Sequence, residues 1–251
     1  MKFKSSLSIA IILTISTFAS AQKADPVKPA TVKFPAVSDI LSQYVKAIGG
    51  RDAHGKFKTR MTSGTVEIMP MGIKGTFETY AAADSKSLVK MNLSGIGEMV
   101  DAHDGKTAWA MNPIQGSREK SGAEVLQAQL ANNFYRDINL EKLYAKMAVT
   151  GIEKVGGKDA YVVTAASEGL PLETFYFDVA TGLLLRSDAT ILSPEGNQPA
   201  KVFFEEMRSV DGILVPVKIR TSLAQMEIIM TTSDVKNGVV IDDAKFAKPK
   251  Q

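Results

Sequence analysis

Beyond about residue 60, apolar and polar residues alternate with a period of two in one segment after another. Val66 and Ile68, for example, alternate with Thr65 and Glu67. Successive side chains of a strand point to opposite faces, so each such segment has one apolar face. The pattern predicts a mainly β (α+β) fold with a single curved antiparallel sheet of about ten strands.

Three other segments place apolar residues at helical spacing instead. The first begins at Ser38, a predicted N-cap, and ends at Gly49 and Gly50. The other two, Ala123–Tyr135 and Ile138–Met147, interrupt the strand pattern in the middle of the chain. We therefore predict an N-terminal helix and a central helical lid over the apolar concave face of the sheet.

The N-terminus has the three parts of a secretory signal peptide. Lys2 and Lys4 give it a positive charge, Leu7–Phe18 is largely apolar, and Ala19–Ala21 supplies small residues before a cleavage site. No cysteine follows, so lipidation at this point is excluded. We expect cleavage before Gln22 and a soluble, periplasmic mature protein.

The remaining chain divides into two parts. Residues 22–36 mix Lys, Ala and Pro without periodicity and are interpreted as a flexible leader, and residues 37–251 are interpreted as one domain. The formal net charge is only +3, and two of these charges belong to the signal peptide. A nearly neutral chain has no general attraction for nucleic acid, so we expect no nucleic-acid partner. We expect the protein to be a monomer.

Catalytic and metal-binding motifs are weak throughout. The sequence contains no cysteine and two histidines, His54 and His103, without zinc-ligand spacing around them. Ser87–Lys90 and Ser117–Lys120 have the Ser-x-x-Lys spacing of penicillin-interacting enzymes, but the partner motifs are missing. We therefore predict a protein that is not an enzyme, with no cofactor and no metal.

Methionine is frequent, with 11 residues in the chain. Because methionine adapts to irregular apolar partners, a wide sheet capped by short helices is expected to leave an apolar ligand cavity. The predicted cavity residues are Val66, Ile68, Phe77, Met91, Trp109, Leu126, Leu130, Phe134, Leu143, Phe175, Phe177, Met226 and Ile228.

One stretch resembles a signature of the LolA/LolB-like lipoprotein carrier superfamily. Ala102–Pro113 ends one strand in Asp-Gly-Lys and runs through Trp to Asn-Pro in the next. Looser similarities follow in the same order at Tyr176–Asp178, Thr181–Leu183, Asp211–Ile213 and Ile241–Asp243. The resemblance covers roughly residues 38–249.

The resemblance implies an unclosed β-half-barrel with a helical lid that holds acyl chains in an apolar cavity. It also implies partners: lipid or lipoprotein acyl chains, an inner-membrane donor complex and an outer-membrane acceptor. The turn Ala81–Lys86 lacks the arginine and proline with which the lipoprotein carrier holds its lid.

Two functions are compatible with these observations. The first is a periplasmic carrier or chaperone for a lipid or lipoprotein acyl chain, acting in transfer to the outer membrane. The alternative is a periplasmic binding or sensor module with the same fold, whose cavity is filled by its own side chains.

Overall fold

The structure, a computed structural model, describes residues 33–249. The predicted signal peptide, and most of the predicted leader, lie outside the described residues. The helices are α1 (Val37–Ala47), α2 (Gly50–Gly55), α3 (Ala123–Ala131) and α4 (Leu140–Leu143), with 3₁₀ turns at Arg136–Ile138 and Asp243–Lys245. The strands are β1 (Thr59–Met69), β2 (Ile73–Ala82), β3 (Lys86–Leu93), β4 (Gly97–Asp104), β5 (Ala108–Asn112), β6 (Gly116–Glu119), β7 (Lys146–Val155), β8 (Lys158–Ala166), β9 (Glu173–Asp178), β10 (Leu184–Ile191), β11 (Gln198–Val210), β12 (Ile213–Ser222) and β13 (Glu227–Asn237).

The strands form one 13-stranded sheet in the order β6-β5-β4-β3-β2-β1-β13-β12-β11-β10-β9-β8-β7. Every neighbouring pair is antiparallel, and β6 and β7 are the two edges, so the sheet is not closed. The predicted mainly β, curved and unclosed sheet is confirmed. It has 13 strands rather than about ten because short, polar edge strands such as β6 carry little apolar signal.

The first and last strands pair in the middle of the sheet. In the β1–β13 pair, Val66 lies opposite Met230 and Ile68 opposite Ile228, with a register shift between Ser63 and Gly64. A Cβ on Gly64 would lie 2.8 Å from a ring carbon of Phe77 and closer still to the backbone of β13. Gly64 therefore lets the Phe77 ring lie directly over β1.

Helix α1 packs on the concave face over strands β8–β10. Its residues Ile40, Leu41 and Tyr44 are buried with Phe175 and Phe177 in one apolar cluster. The Tyr44 and Phe177 rings lie 5.2 Å apart. The helix begins at Val37 with Ala36 as its N-cap, so Ser38 lies in the first turn and the N-cap prediction is wrong by two residues.

The central insert is shorter in helix than predicted. The predicted second helix, through Met147, is wrong because α4 ends at Leu143 and Lys146 already begins β7. The backbone N–H of Ala145 donates to Ala166, which starts the pairing of β7 with β8. Strand pairing therefore takes over from helical spacing at this point. No helix within residues 33–249 is long and apolar enough to cross a membrane.

Candidate functional site

The concave face has two halves that are built differently. The covered half consists of β7–β10 beneath α1 and α4, where Phe175, Phe177 and Val163 have no exposed surface. The open half consists of β1–β4 and β13, whose apolar residues pack only with residues from strands and hairpin turns. Within residues 33–249, no helix residue belongs to the apolar cluster of the open half.

The open half contains one cluster of apolar side chains that pack against one another, and we call this cluster the trough. Its four buried members are Val66, Ile68, Phe77 and Leu93, and its partly buried members are Ile73, Met91, Ile96, Met99, Met226, Ile228 and Met230. The partly buried residues include four methionines, whose side chains adapt to irregular partners. An apolar surface left partly exposed in this way can accept an apolar ligand.

A cavity of about 290 Å³ continues the trough beneath α1 and α2. Phe77 and Met230 belong to both the trough and the cavity wall. Further apolar wall residues come from β11 and β12, among them Phe204 and Ile219. The trough and this cavity together form one elongated apolar site.

The opposite end of that cavity is polar. Arg60, His54 and Asp137 line it there. Burial, the largest influence, lowers the pKa of His54, so this imidazole is neutral at pH 7. Its Nε2 lies 3.2 Å from the carbonyl oxygen of Ile48. The site is thus apolar in the trough, has Thr62, Thr79 and Thr232 in the wall of the adjoining cavity, and carries a guanidinium group at its far end.

The helical insert bridges the two sides of the sheet above this site. At one side, Arg118 of β6 makes two hydrogen bonds to Glu124 of α3. At the other side, Gln127 of α3 donates to the carbonyl oxygen of Thr190 at 2.7 Å. β6 and β10 lie far apart in the sheet order, but Glu124 and Gln127 are only one helical turn apart, so the curvature of the sheet brings both strands close to α3.

A buried ion pair fixes the second part of the insert to β9. The Arg136 guanidinium lies 2.7 Å from a Glu173 carboxylate oxygen, and the Tyr144 hydroxyl donates to the other oxygen. Burial alone would lower the pKa of Arg136, but the charge of Glu173 outweighs burial and raises it above its ordinary value. The larger cavity of about 470 Å³ beneath α3 is lined by these charged groups, so it is less suited to an acyl chain.

The predicted cavity residues fall into distinct places. The structure brings six of them together in the trough: Val66, Ile68, Phe77, Met91, Met226 and Ile228. Phe175 and Phe177 lie in the core of the covered half, and Leu130 and Leu143 pack against that core. Leu126 is 45% exposed and lines a shallow depression with Leu130 and Leu143. Phe134 stacks edge-on against Tyr135, with its ring 5.8 Å from the Arg60 guanidinium carbon.

Trp109 lies on the other face of the sheet. It packs with Ala102 and Val100 beneath Phe246 of the C-terminal segment. Its indole N–H donates to the carbonyl oxygen of Phe246 at 2.9 Å. The Asp-Gly-Lys to Asn-Pro stretch thus contributes a core residue of the convex face, and Trp109 does not line the trough.

Several site residues escaped the sequence analysis. The main ones are Arg60 and Met230, together with Leu93, Met99 and Ile219. The register shows that Arg60 shares the inward face with Val66, because both are even-numbered residues of one regular β1–β2 pairing. A charge at an inward-facing position of an alternating strand was therefore the available signal for Arg60.

Comparisons with known proteins bear on the fold. No protein-family model and no curated protein matches the chain. Among solved structures, a LolA superfamily protein from Nitrosomonas europaea is similar at 13% identity, with a TM-score of 0.56, over 86% of this chain and 99% of that one. The fold is LolA-like.

Two further structures share the LolA-like fold of this chain. A DUF1329 family protein from Desulfovibrio piger is similar at 18% identity and a TM-score of 0.57, over 84% of this chain and 97% of that one. A domain described as an outer membrane lipoprotein-sorting protein, from Vibrio parahaemolyticus, has 10% identity and a TM-score of 0.53, over 82% and 97%. At these identities the similarity establishes the architecture, and the function is argued below from the site.

Proposed function

We propose that this protein binds an acyl chain of a lipid or lipoprotein in the trough and carries it between membranes of the envelope. The observation that carries the proposal is the partly exposed apolar trough of the open half, continuous with the cavity of about 290 Å³. The LolA-like fold, which this chain shares with a described lipoprotein-sorting domain, supports it. The carrier acts without chemical change to its cargo.

The energy of burial is sufficient for capture. Each methylene transferred from water contributes about 0.8 kcal/mol, so twelve methylenes contribute on the order of 10 kcal/mol. Association and ordering cost several kcal/mol of this. The remainder is enough to hold a single chain, and the same chain returns readily to a membrane that offers an equally apolar environment.

The proposed location is the periplasm, and the proposed direction of transfer is towards the outer membrane. An inner-membrane complex would donate the acyl chain, and an outer-membrane component would accept it. Intact-mass analysis of the native protein tests the export step. A mature chain beginning at Gln22 supports it, and an unprocessed chain in the inner membrane contradicts it.

Two adjacent residues of β13 provide a matched test of the trough. Met230 lies in the trough opposite Val66, whereas Thr231 is exposed on the other face between Thr65 and Lys218. We expect Met230→Glu to abolish uptake of a pyrene-labelled fatty alcohol, because the charge would have to be buried beside the ligand. Thr231→Glu is the control and should leave uptake intact.

The uncharged probe restricts this test to apolar capture. Circular dichroism and thermal unfolding establish that both variants are folded. Equal uptake by the two folded variants, or no uptake by the wild type, would contradict the proposal.

A binding or sensor module is the second candidate function. The covered half favours it, because Phe175, Phe177 and Tyr44 already fill the space beneath α1. Native mass spectrometry of protein purified from its own envelope separates the two candidates. A co-purifying lipid supports the carrier, and an apo mass without lipid uptake supports the module.

A further inference from the structure

Arg60 is a cation held at the polar end of the apolar site. It lies on the inward face of β1, in line with Thr62, Gly64 and Val66. It is half-buried and lines the cavity that continues the trough. Moving a guanidinium group out of water is unfavourable unless other groups compensate its charge and its N–H donors.

The protein provides hydrogen-bond acceptors for only some of the N–H groups of the Arg60 guanidinium. Its Nε donates to the side-chain oxygen of Asn237 at 2.7 Å, and Asn237 is itself fixed by donating to Asp211 at 3.0 Å. Within residues 33–249, no other acceptor bonds Arg60 and no carboxylate lies within the 4.0 Å of an ion pair. Four of its five N–H groups are therefore left for a ligand or water.

The charges around Arg60 favour an anionic ligand. Burial has the largest influence on the pKa of Arg60 and lowers it, whereas Asp137 and Asp211 raise it. Arginine is not deprotonated in proteins, so Arg60 stays charged. Both aspartates are exposed, so solvent screens them. His54 is buried and neutral. Within the cavity, the Arg60 guanidinium is thus the unscreened charge.

We propose that Arg60 binds the carboxylate of a free fatty acid whose chain extends along the trough. The inference rests on the proposed acyl-binding function and adds its ligand class. A guanidinium presents two parallel N–H donors that match a carboxylate, and such charge-assisted pairs are the stronger hydrogen bonds. The single positive charge of Arg60 balances the one negative charge of a carboxylate, whereas a phosphate monoester is close to doubly charged at pH 7.

The dimensions of the site agree with this arrangement. Eight residues of strand separate Arg60 from Ile68, which is a contour of at most about 26 Å. A membrane acyl chain spans half of a hydrocarbon core of about 30 Å, which is about 15 Å. Phe77 lies opposite Gly64, about 13 Å along the strand from Arg60, so a chain anchored at Arg60 reaches the Phe77 end of the trough and stays within the site.

The test compares ligands that differ only at the head. Palmitate and cetyl alcohol displace the pyrene-labelled fatty alcohol from the wild type, and we expect palmitate to bind about tenfold to hundredfold more tightly. Arg60→Ala should abolish this preference by lowering the affinity for palmitate to that for cetyl alcohol. Arg60→Lys should retain part of it. Circular dichroism and thermal unfolding establish that the Arg60→Ala protein is folded.

Lys58→Ala is the matched control. It removes a nearby exposed charge that does not line the cavity, so the preference for palmitate should persist. Equal affinity of the wild type for palmitate and cetyl alcohol would overturn the role of Arg60 and leave the acyl-binding function standing. Binding of neither ligand would instead overturn the proposed function.

A third ligand, lysophosphatidate, distinguishes the headgroup. Weaker binding than palmitate supports the carboxylate. If lysophosphatidate binds more tightly than palmitate and loses that advantage in Arg60→Ala, the carboxylate assignment is overturned in favour of a phosphate.

Discussion

The covered and open halves of the concave face have the same alternating strand pattern but differ in how completely their apolar side chains are buried. In the covered half, the rings of Phe175 and Phe177 lie 6.0 Å apart beneath α1 and are fully buried. In the open half, Met91 and Met230 remain partly exposed. Rigid aromatic residues complete a core, whereas flexible methionines leave a surface that another molecule can complete. This difference underlies the proposal that the covered half provides stability and the open half captures the ligand.

The largest expected effect is on the covered half. Phe177→Ala removes a fully buried ring that contacts Tyr44 and Phe175, so we expect the free energy of unfolding to fall by about 3–5 kcal/mol. Urea unfolding measures it. A loss below about 1 kcal/mol would mean that the covered half is not a tightly packed core.

A smaller effect is expected at the hairpin that closes the covered half. Burial alone would raise the pKa of Asp178, but hydrogen bonds from Ala180 and Thr181 outweigh it and hold the pKa below its ordinary value. The stabilisation is therefore present above the unfolded pKa of about 3.9 and is lost as pH falls through the folded pKa.

Asp178→Asn should accordingly cost about 1 kcal/mol at pH 7, and the difference from wild type should shrink below about pH 4. Urea midpoints at several pH values measure it. Asp159→Asn, at an exposed position of β8, is the control and should show little change. A cost for Asp178→Asn that does not vary with pH would contradict the assignment to ionisation.

In the open half, substitutions should weaken ligand binding more than they lower stability, whereas in the covered half they should lower stability and leave binding unchanged. Met91→Ala removes a half-buried side chain, so we expect it to cost about 1 kcal/mol of stability or less. The same loss of contact should weaken binding of the fatty alcohol several-fold. Phe177→Leu should lower stability without changing that affinity. If Phe177→Leu weakens binding as much as Met91→Ala, the two halves do not have separate roles.

The smallest expected effect concerns the opposite face. Trp109 is the only tryptophan of the chain and lies beneath Phe246 on the convex side. A brominated fatty acid bound in the trough should therefore leave its fluorescence almost unchanged, because the sheet separates the two. Strong quenching in folded protein would place the ligand on the Trp109 side and break the assignment of the trough.

The local alternation of the sequence was sufficient to predict the positions of some site residues but not of others. Val66, Ile68 and Met91 were predicted to face one cavity, and they do share the trough, because alternation fixes the face of a strand residue. Trp109 also lies in an alternating segment. The face of the sheet that it occupies could not be predicted, because the register of β5 against β4 decides it. Phe177 was placed on the correct face, but whether a helix would cover that part of the sheet depends on the path of the chain.

By itself, the sequence determined the class of fold, one apolar face per strand, and the interruption of the sheet near residues 123–143. These features depend on neighbouring residues, whose spacing in space follows directly from their spacing in the chain. Only the tertiary structure decided that β1 pairs with β13, that α1 covers β8–β10, and that Arg60 ends an apolar cavity. Those outcomes depend on contacts between residues far apart in sequence, such as Arg60 and Asn237, which no local period encodes.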